Sequence, residues 1–204
     1  MKSWRLELIL LALIALGLIW SGFAPFDRFT WWLETAPVWI ALPLLLFTAR
    51  KFRLTPLLYL LIAVHALILM AGGKYSYARV PAGEWVRDWL HLARNPYDRL
   101  GHLAQGFIPV ILTREILLRA SPLRPGKWLA VLSVAVCLAF SALYELFEMA
   151  TALAQGARAD DFLGTQGDPW DTQWDMACAL IGAALGYLLL SRLHDRQLRV
   201  LEPA

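Results

Sequence analysis

The sequence predicts an all-α, polytopic membrane bundle of six spans, and three observations carry that reading. Of 204 residues, 59% are hydrophobic and only 17% charged, against about 45–50% and about 25% in an ordinary soluble domain. Mean hydropathy is +0.52, an excess of apolar surface that a chain this short cannot hide inside a soluble fold. Ten tryptophans suit a protein with two water–lipid boundaries to anchor. The same numbers exclude a disordered chain. They also argue against a nucleic-acid binder: pI is near 9.0, but net charge is only +3 and the basic residues alternate with apolar blocks rather than forming one stripe.

A spanning helix needs roughly 20 mostly apolar residues. Six stretches qualify within one integral membrane domain over 1–204: about 5–22, 36–49, 56–73, 100–118, 128–153 and 175–193. The first has a basic start but no small-residue cleavage site, so it reads as a retained span. The second is short and contains Pro37 and Pro43, which predicts a kink or tilt. The fourth carries Gln105, Thr113, Arg114 and Glu115 and must be shielded by protein. Cys178, Gly182 and Gly186 give the last span the small-residue spacing that lets two helices approach closely. Cys137 and Cys178 both fall in apolar blocks, so neither a disulfide framework nor a thiolate site is indicated. Segment 82–94 is too charged to span. Its Trp85, Val86, Trp89 and Ala93 share a helical face, which predicts a helix lying in the interface.

Orientation follows from lysine and arginine in the connections. With six spans both termini share one side. That side gathers most of the 19 basic residues, among them Lys2, Arg5, Arg50, Lys51, Arg53, Arg119 and Arg124. It is therefore the cytoplasmic side, and the acid-rich segments 74–99 and 154–174 face outward. Arg114 and Glu115 near the inner end of span 4 read as an internal ion pair. His194 and the basic tail read as a solvated end, and His65 as a packed histidine.

Ionisable groups inside or at the edge of a membrane are costly, so they mark candidate sites. Three segments carry them. Asn95-Pro96-Tyr97-Asp98-Arg99-Leu100-Gly101-His102 opens span 4, with Asn95 as cap, Pro96 at the first helical position, and Asp98 and His102 one turn apart on a shared face. Gln105 lies a further turn in. Tyr144-Glu145-Leu146-Phe147-Glu148 places two carboxylates about 12 and 8 Å below a helix end near Leu153, at 1.5 Å per residue. They need a cation or a shared proton, unless an arginine such as Arg99 balances them. Asp168-Pro169-Trp170-Asp171, with Asp175 one turn on, opens span 6 behind two glycines, Asp168 being its natural cap. This third segment repeats the pattern of the first.

Packed together, Asp98, His102, Asp171 and Asp175 converge four donors, with Glu145 and Glu148 completing the shell. One imidazole among carboxylates suits one divalent ion, Mg²⁺, Mn²⁺, Fe²⁺ or Zn²⁺. The function expected is hydrolysis or group transfer on a lipid or envelope substrate. Asp98, His102, Asp171 and Asp175 hold the metal, Glu145 or Glu148 acts as general acid/base, and Gln105 and Asp168 complete the polar site. A loop at 164–167 and the tryptophan helix would frame lipid entry. A proton- or cation-coupled transporter, with Glu145 and Glu148 as relay, is the alternative. A non-catalytic assembly protein, whose polar cluster only fixes helix packing, is a third. The expected surroundings are membrane lipids; no nucleic acid is implied.

These motifs resemble a known family. Tyr97-Asp98-Arg99-Leu100-Gly101-His102 with Gln105-Gly106, then Arg114-Glu115, then Tyr144-Glu145 with Glu148, and the long run Gly164 to Met176 are similar to the YjdF family of bacterial inner-membrane proteins, over about 50–195. The resemblance implies location and a motif set rather than a reaction. A fainter likeness to VanZ-like proteins rests on an Asp-x-x-x-His, a buried Glu and a late Asp-x-x-x-Asp pair, and is analogy only.

Overall fold

The computed structural model describes residues 4–155 and 166–201; the expected loop positions Gly164 and Thr165, and the stretch 156–165 of the acid-rich segment 154–174, lie outside them. Among the described residues the chain is helical throughout: α1 (Arg5–Gly22), α2 (Arg28–Thr48), α3 (Pro56–Tyr75), a 3₁₀ turn (Tyr77–Arg79), α4 (Pro81–Leu90), α5 (Tyr97–Phe107), α6 (Pro109–Ala120), α7 (Lys127–Gln155) and α8 (Asp171–Leu201). Helices α1, α2, α3, α7 and α8 are each long and apolar enough to cross a membrane. Their outer faces leave Ile19, Phe47, Phe140 and Leu188 at least 65% exposed, as a lipid-facing surface requires.

Three elements differ from the sequence reading. Helix α2 begins at Arg28 rather than near 36. Asp27 caps it, its Oδ1 accepting the Thr30 N–H at 2.7 Å, and that bond holds the Asp27 carboxyl below its ordinary range. Pro37 and Pro43 both sit inside the helix. The stretch expected as span 4 is divided. Pro109 has no N–H for the Gln105 carbonyl, so α5 ends at Phe107 and α6 starts at Pro109, with Ile108 between them in helical conformation. The interfacial helix is shorter than expected, stopping at Leu90 because His91 adopts φ +54°, so Ala93 is outside it. Trp85 and Trp89 are 74% and 79% exposed, as an interface-lying face predicts.

Helix α3 is the centre of the assembly. One face buries Ala63, Ala66 and Met70 against Leu10 and Ile14 of α1 and Val38 of α2. Near its start, Leu58 joins Val110 and Ile111 of α6, Cys137 of α7 and Ala183 of α8.

The tightest contact is a seam between α5 and α8. A Cβ on Gly106 would lie 1.8 Å from the Ala179 carbonyl oxygen, one on Gly182 2.0 Å from that of Leu103, and one on Gly186 2.3 Å from that of Phe107. Only hydrogen fits at these three positions, so backbone meets backbone. The seam uses Gly182 and Gly186, as the small-residue spacing predicts. Its third small residue on α8 is Ala179, fully buried, whereas Cys178 is only half-buried.

At the far end of α6 and α8 a second buried polar cluster ties the bundle. Glu115, fully buried, accepts Thr55 Oγ1 at 2.9 Å, Arg119 Nη1 at 2.6 Å and His194 Nε2 at 2.9 Å. Arg114 donates to His194 Nδ1 at 2.7 Å and to Asp195 at 2.6 Å. The arginine donor fixes the imidazole as the tautomer with its proton on Nε2, facing Glu115. Two expectations are corrected here. Glu115 pairs with Arg119 and His194, not Arg114, because its neighbour in sequence points elsewhere on the helix. His194 is fully buried rather than solvated, because α8 continues to Leu201 and keeps that turn packed.

Gly182→Leu is expected to part α5 from α8, costing about 1–3 kcal/mol for an overpacked contact and lowering the thermal midpoint of the detergent-solubilised protein. Leu188→Ala, on the lipid face, should leave that midpoint nearly unchanged.

Candidate functional site

The seam sets the geometry of the polar site because its residues continue, one turn on, into the ionisable ones. On α8, Asp175 precedes Ala179 by four residues; on α5, His102 precedes Gly106 by four. Close backbones at Gly106 and Gly182 therefore bring these side chains face to face. His102 Nε2 lies 3.7 Å from Asp98 Oδ1 and 4.0 Å from Asp175 Oδ2. One donor atom from each of Asp98, His102 and Asp175 falls within a 4.8 Å cluster. The other imidazole nitrogen, Nδ1, faces Glu145 Oε1 of α7 at 3.7 Å. All four groups are buried. His102 Nδ1, Glu145 Oε1, Asp175 Oδ1 and Gln105 Oε1 are buried without a hydrogen-bond partner.

The start of α5 is fixed by tight local packing. The Tyr77 ring is wedged between α3 and α5, where a Cβ on Gly72 or Gly101 would lie 2.3 or 2.8 Å from it. Burial pushes the Tyr77 hydroxyl above its ordinary range. Tyr97 Oη donates to the Ile68 carbonyl at 3.1 Å. Asn95 is 1% exposed and bonded on every side. Its Oδ1 accepts the Tyr97 N–H at 3.0 Å, and its Nδ2 donates to the Val80 carbonyl at 3.1 Å and Glu84 Oε1 at 2.8 Å. Its backbone exchanges two bonds with the Gln166 side chain, at 2.9 and 3.1 Å. A single residue thus joins α4, α5 and the approach to α8. It acts one position earlier than a simple cap, since Pro96 flanks the helix and Tyr97 begins it.

The remaining acids are held by arginines. Arg94 pairs with Asp171, with Asp98 Oδ2 at 3.2 Å and with Asp168 Oδ2 at 3.8 Å. Arg99 pairs with Asp168 Oδ2 at 2.7 Å, and its guanidinium lies 5.5 Å from the Trp174 ring centre. Asp168 also accepts the Trp170 N–H at 2.9 Å, so it closes the turn before α8 rather than capping it directly; the helix starts at Asp171, not Pro169. Arg99 is not the partner of Glu145 or Glu148. It reaches outward to Asp168, and the inward cation is Arg94.

The structure thus brings Asp98, His102, Asp175 and Glu145 together. Asp171 lies beside them under Arg94, and Asp168 sits at the rim. Glu148, one turn from Glu145, is in electrostatic reach of Glu145, Asp98 and Asp175. It is also near Glu34, which the sequence reading missed. Glu34 is 3% exposed and accepts Tyr144 Oη at 2.9 Å. Reading residues 28–35 as connection hid it; the cap at Asp27 and the absence of proline or glycine before Pro37 were the available signal. Arg94 was also missed, although it stands four residues before Asp98.

Comparison with known proteins agrees with the fold. Residues 6–196 match the family model described as a predicted membrane protein (DUF2238). The chain is 55% identical over 186 residues to the inner membrane protein YjdF of Escherichia coli (strain K12), covering 91% of this chain and 89% of that one. No solved structure matches. The chain belongs to this family of inner-membrane proteins, and it is a multi-pass protein of that membrane.

Arg94 and Asp171 are both about nine-tenths buried, so removing one leaves a buried charge, at a cost of about 3–5 kcal/mol. Arg94→Ala should lower the thermal midpoint sharply. Adding Asp171→Asn to it should recover a substantial part of the loss, a non-additivity that a double-mutant cycle reads directly.

Proposed function

We propose that this member of the family holds one divalent metal ion on Asp98, His102 and Asp175, and uses it for hydrolysis or group transfer on a lipid or envelope substrate. The carrying observation is the way His102 is placed between unlike partners. Its Nε2 faces two aspartates at 3.7 and 4.0 Å, and its Nδ1 faces Glu145 at 3.7 Å. A carboxylate orienting one ring nitrogen while the other faces the donor set is how proteins prepare an imidazole for a metal. Bonds of about 2.0–2.2 Å would put neighbouring donors a little over 3 Å apart, so closing a 4.8 Å cluster brings its donors together by about 1.5 Å at most. Asp175 Oδ1 is buried with no hydrogen-bond partner, which fits a carboxylate built to take a further partner. Charge supports it too: among the described residues, Arg94 and Arg99 are the arginines that meet the five acids Asp98, Asp168, Asp171, Asp175 and Glu145.

In this reading Asp171 is a positioning group under Arg94 rather than a ligand, and Asp168 holds Arg99 at the entrance. A bound ion would supply a polarised substrate oxygen and an acidified water. Glu145 orients His102, and Glu148, backed by Glu34 and Tyr144, takes or returns the proton. Arg99, half-exposed beside Trp174, meets an anionic group on the substrate. We place six crossings in the membrane, α5 and α6 together making the fourth, with both termini cytoplasmic and the site near the periplasmic face. The basic residues gathered at the opposite end support that orientation.

Transport remains the second reading, on one observation. Ser133, Cys137, Ser141 and Glu145 recur every four residues along α7 and are all buried, and the Ser133 and Ser141 hydroxyls have no partner. Such a stripe suits a file of water reaching from the site toward Glu115.

Metal analysis of protein purified without chelator should find close to one Mn²⁺, Fe²⁺ or Zn²⁺ per chain, or Mg²⁺ after equilibration. His102→Ala and Asp175→Asn should each weaken binding at least tenfold, and Asp168→Asn less than threefold. Binding absent from the folded wild type, or indifferent to Asp175→Asn, overturns the reading. Proton-coupled flux in liposomes that survives removal of metal would favour transport.

A further inference from the structure

Helices α1 and α2 are fastened to each other where the chain turns between them. Trp31 Nε1 donates to Ser21 Oγ at 3.1 Å, and Arg28 donates to the Gly22 carbonyl at 2.7 Å. Beyond that turn both lean on α3, with the shared core of Leu10, Ile14 and Val38 partway down. Past this core they stand apart. Between them is a cleft of ≈ 190 Å³, floored by Tyr59 and Ile62 of α3 and walled by Leu11 and Ile14 of α1 and Leu42 and Leu46 of α2. Leu8 and Leu46, at its lips, are 62% and 61% exposed, so it opens sideways to the membrane. The cleft lies at the Thr55–Glu115 end of the bundle, away from the His102 site.

Its length and its mouth point to one kind of occupant. The lining runs on α1 from Trp4 to Ile14, about 15 Å at the helical rise. That is half of the roughly 30 Å hydrocarbon core, the depth of one leaflet. At the mouth, the carboxylate of Glu7 is taken by Arg53, whose Nε lies 2.7 Å from Oε1. Trp4 covers that guanidinium, 4.2 Å from the ring centre. Arg50 and Lys51, both exposed, directly follow the lining residue Ala49 in the chain. A one-leaflet apolar trench under a basic rim is the complement of a phospholipid with an anionic headgroup.

We propose that this cleft binds an anionic phospholipid, one acyl chain lying between α1 and α2 and the phosphate meeting Arg50 and Lys51. The site is separate from the metal reading and does not depend on it.

The test is native mass spectrometry of the full chain released from nanodiscs of phosphatidylglycerol, phosphatidylcholine or their equal mixture. From the mixture, wild type should retain phosphatidylglycerol at least fivefold over phosphatidylcholine. Arg50→Gln with Lys51→Gln, both on the surface, should cut that preference below twofold. Leu46→Trp, which fills the trench from its lip, should lower retention of both lipids. Equal retention by wild type, or a preference unchanged in the double variant, overturns the proposal. So does a wild-type dimer that Leu46→Trp dissociates without changing lipid retention, since the cleft would then be an interface between copies.

Discussion

Everything at the polar site depends on the absence of three side chains. Gly106, Gly182 and Gly186 let the backbones of α5 and α8 touch, with each glycine set against a carbonyl of the other helix. In lipid, helices gain little by hiding apolar surface from one another, so close packing and polar contacts must hold them. Here the packing comes first in space and the polar contacts extend it. His102 and Asp175 stand one turn beyond the seam on the same faces, and a wider seam would carry them out of reach of each other.

The site is a balance of charges as much as a constellation of ligands. Burying one carboxylate in a membrane is expensive, and this end of the bundle buries Asp98, Glu145, Asp171, Asp175 and Glu34. Arg94 offsets Asp171 and part of Asp98, and Arg99 offsets Asp168. Tyr144 gives Glu34 a hydrogen bond. Those partners leave the His102–Asp175–Glu145 group without a cation of its own from the protein among the described contacts. At the other end Glu115 is fully satisfied by Thr55, Arg119 and His194. The two clusters differ in this respect: at one the buried carboxylate is closed by its own neighbours, and at the other Glu145 and Asp175 each keep a buried oxygen without a partner.

Much of this was legible in the sequence, and the misses share a cause. Apolar runs located the spans, and the Asp-x-x-x-His and Asp-x-x-x-Asp spacings put Asp98, His102 and Asp175 at the starts of helices that meet. Periodicity could say which residues share a face, but not which arginine turns inward. Arg94 lies in the irregular link between α4 and α5, where no period constrains it, so it was passed over for Arg99. Glu34 was lost because hydropathy undervalues the first two turns of a helix flanked by Asp27 and carrying Arg28 and Glu34, although a capping bond starts that helix at Arg28. Pro109 divided a run that composition alone joins, because the missing N–H outweighs the apolar character around it. His194 was misplaced for the opposite reason: a charged stretch at a chain end suggests water, yet Arg114 and Glu115 reach it across the bundle.

Helix α8 runs unbroken from Asp171 to Leu201. Asp175 and His194 stand 19 residues apart on it, about 28 Å at 1.5 Å per residue. The glycine seam lies between them and bears on α5 like a fulcrum. A rigid-body tilt of α8 about that seam that draws Asp175 nearer to His102 carries His194 the other way, away from Glu115.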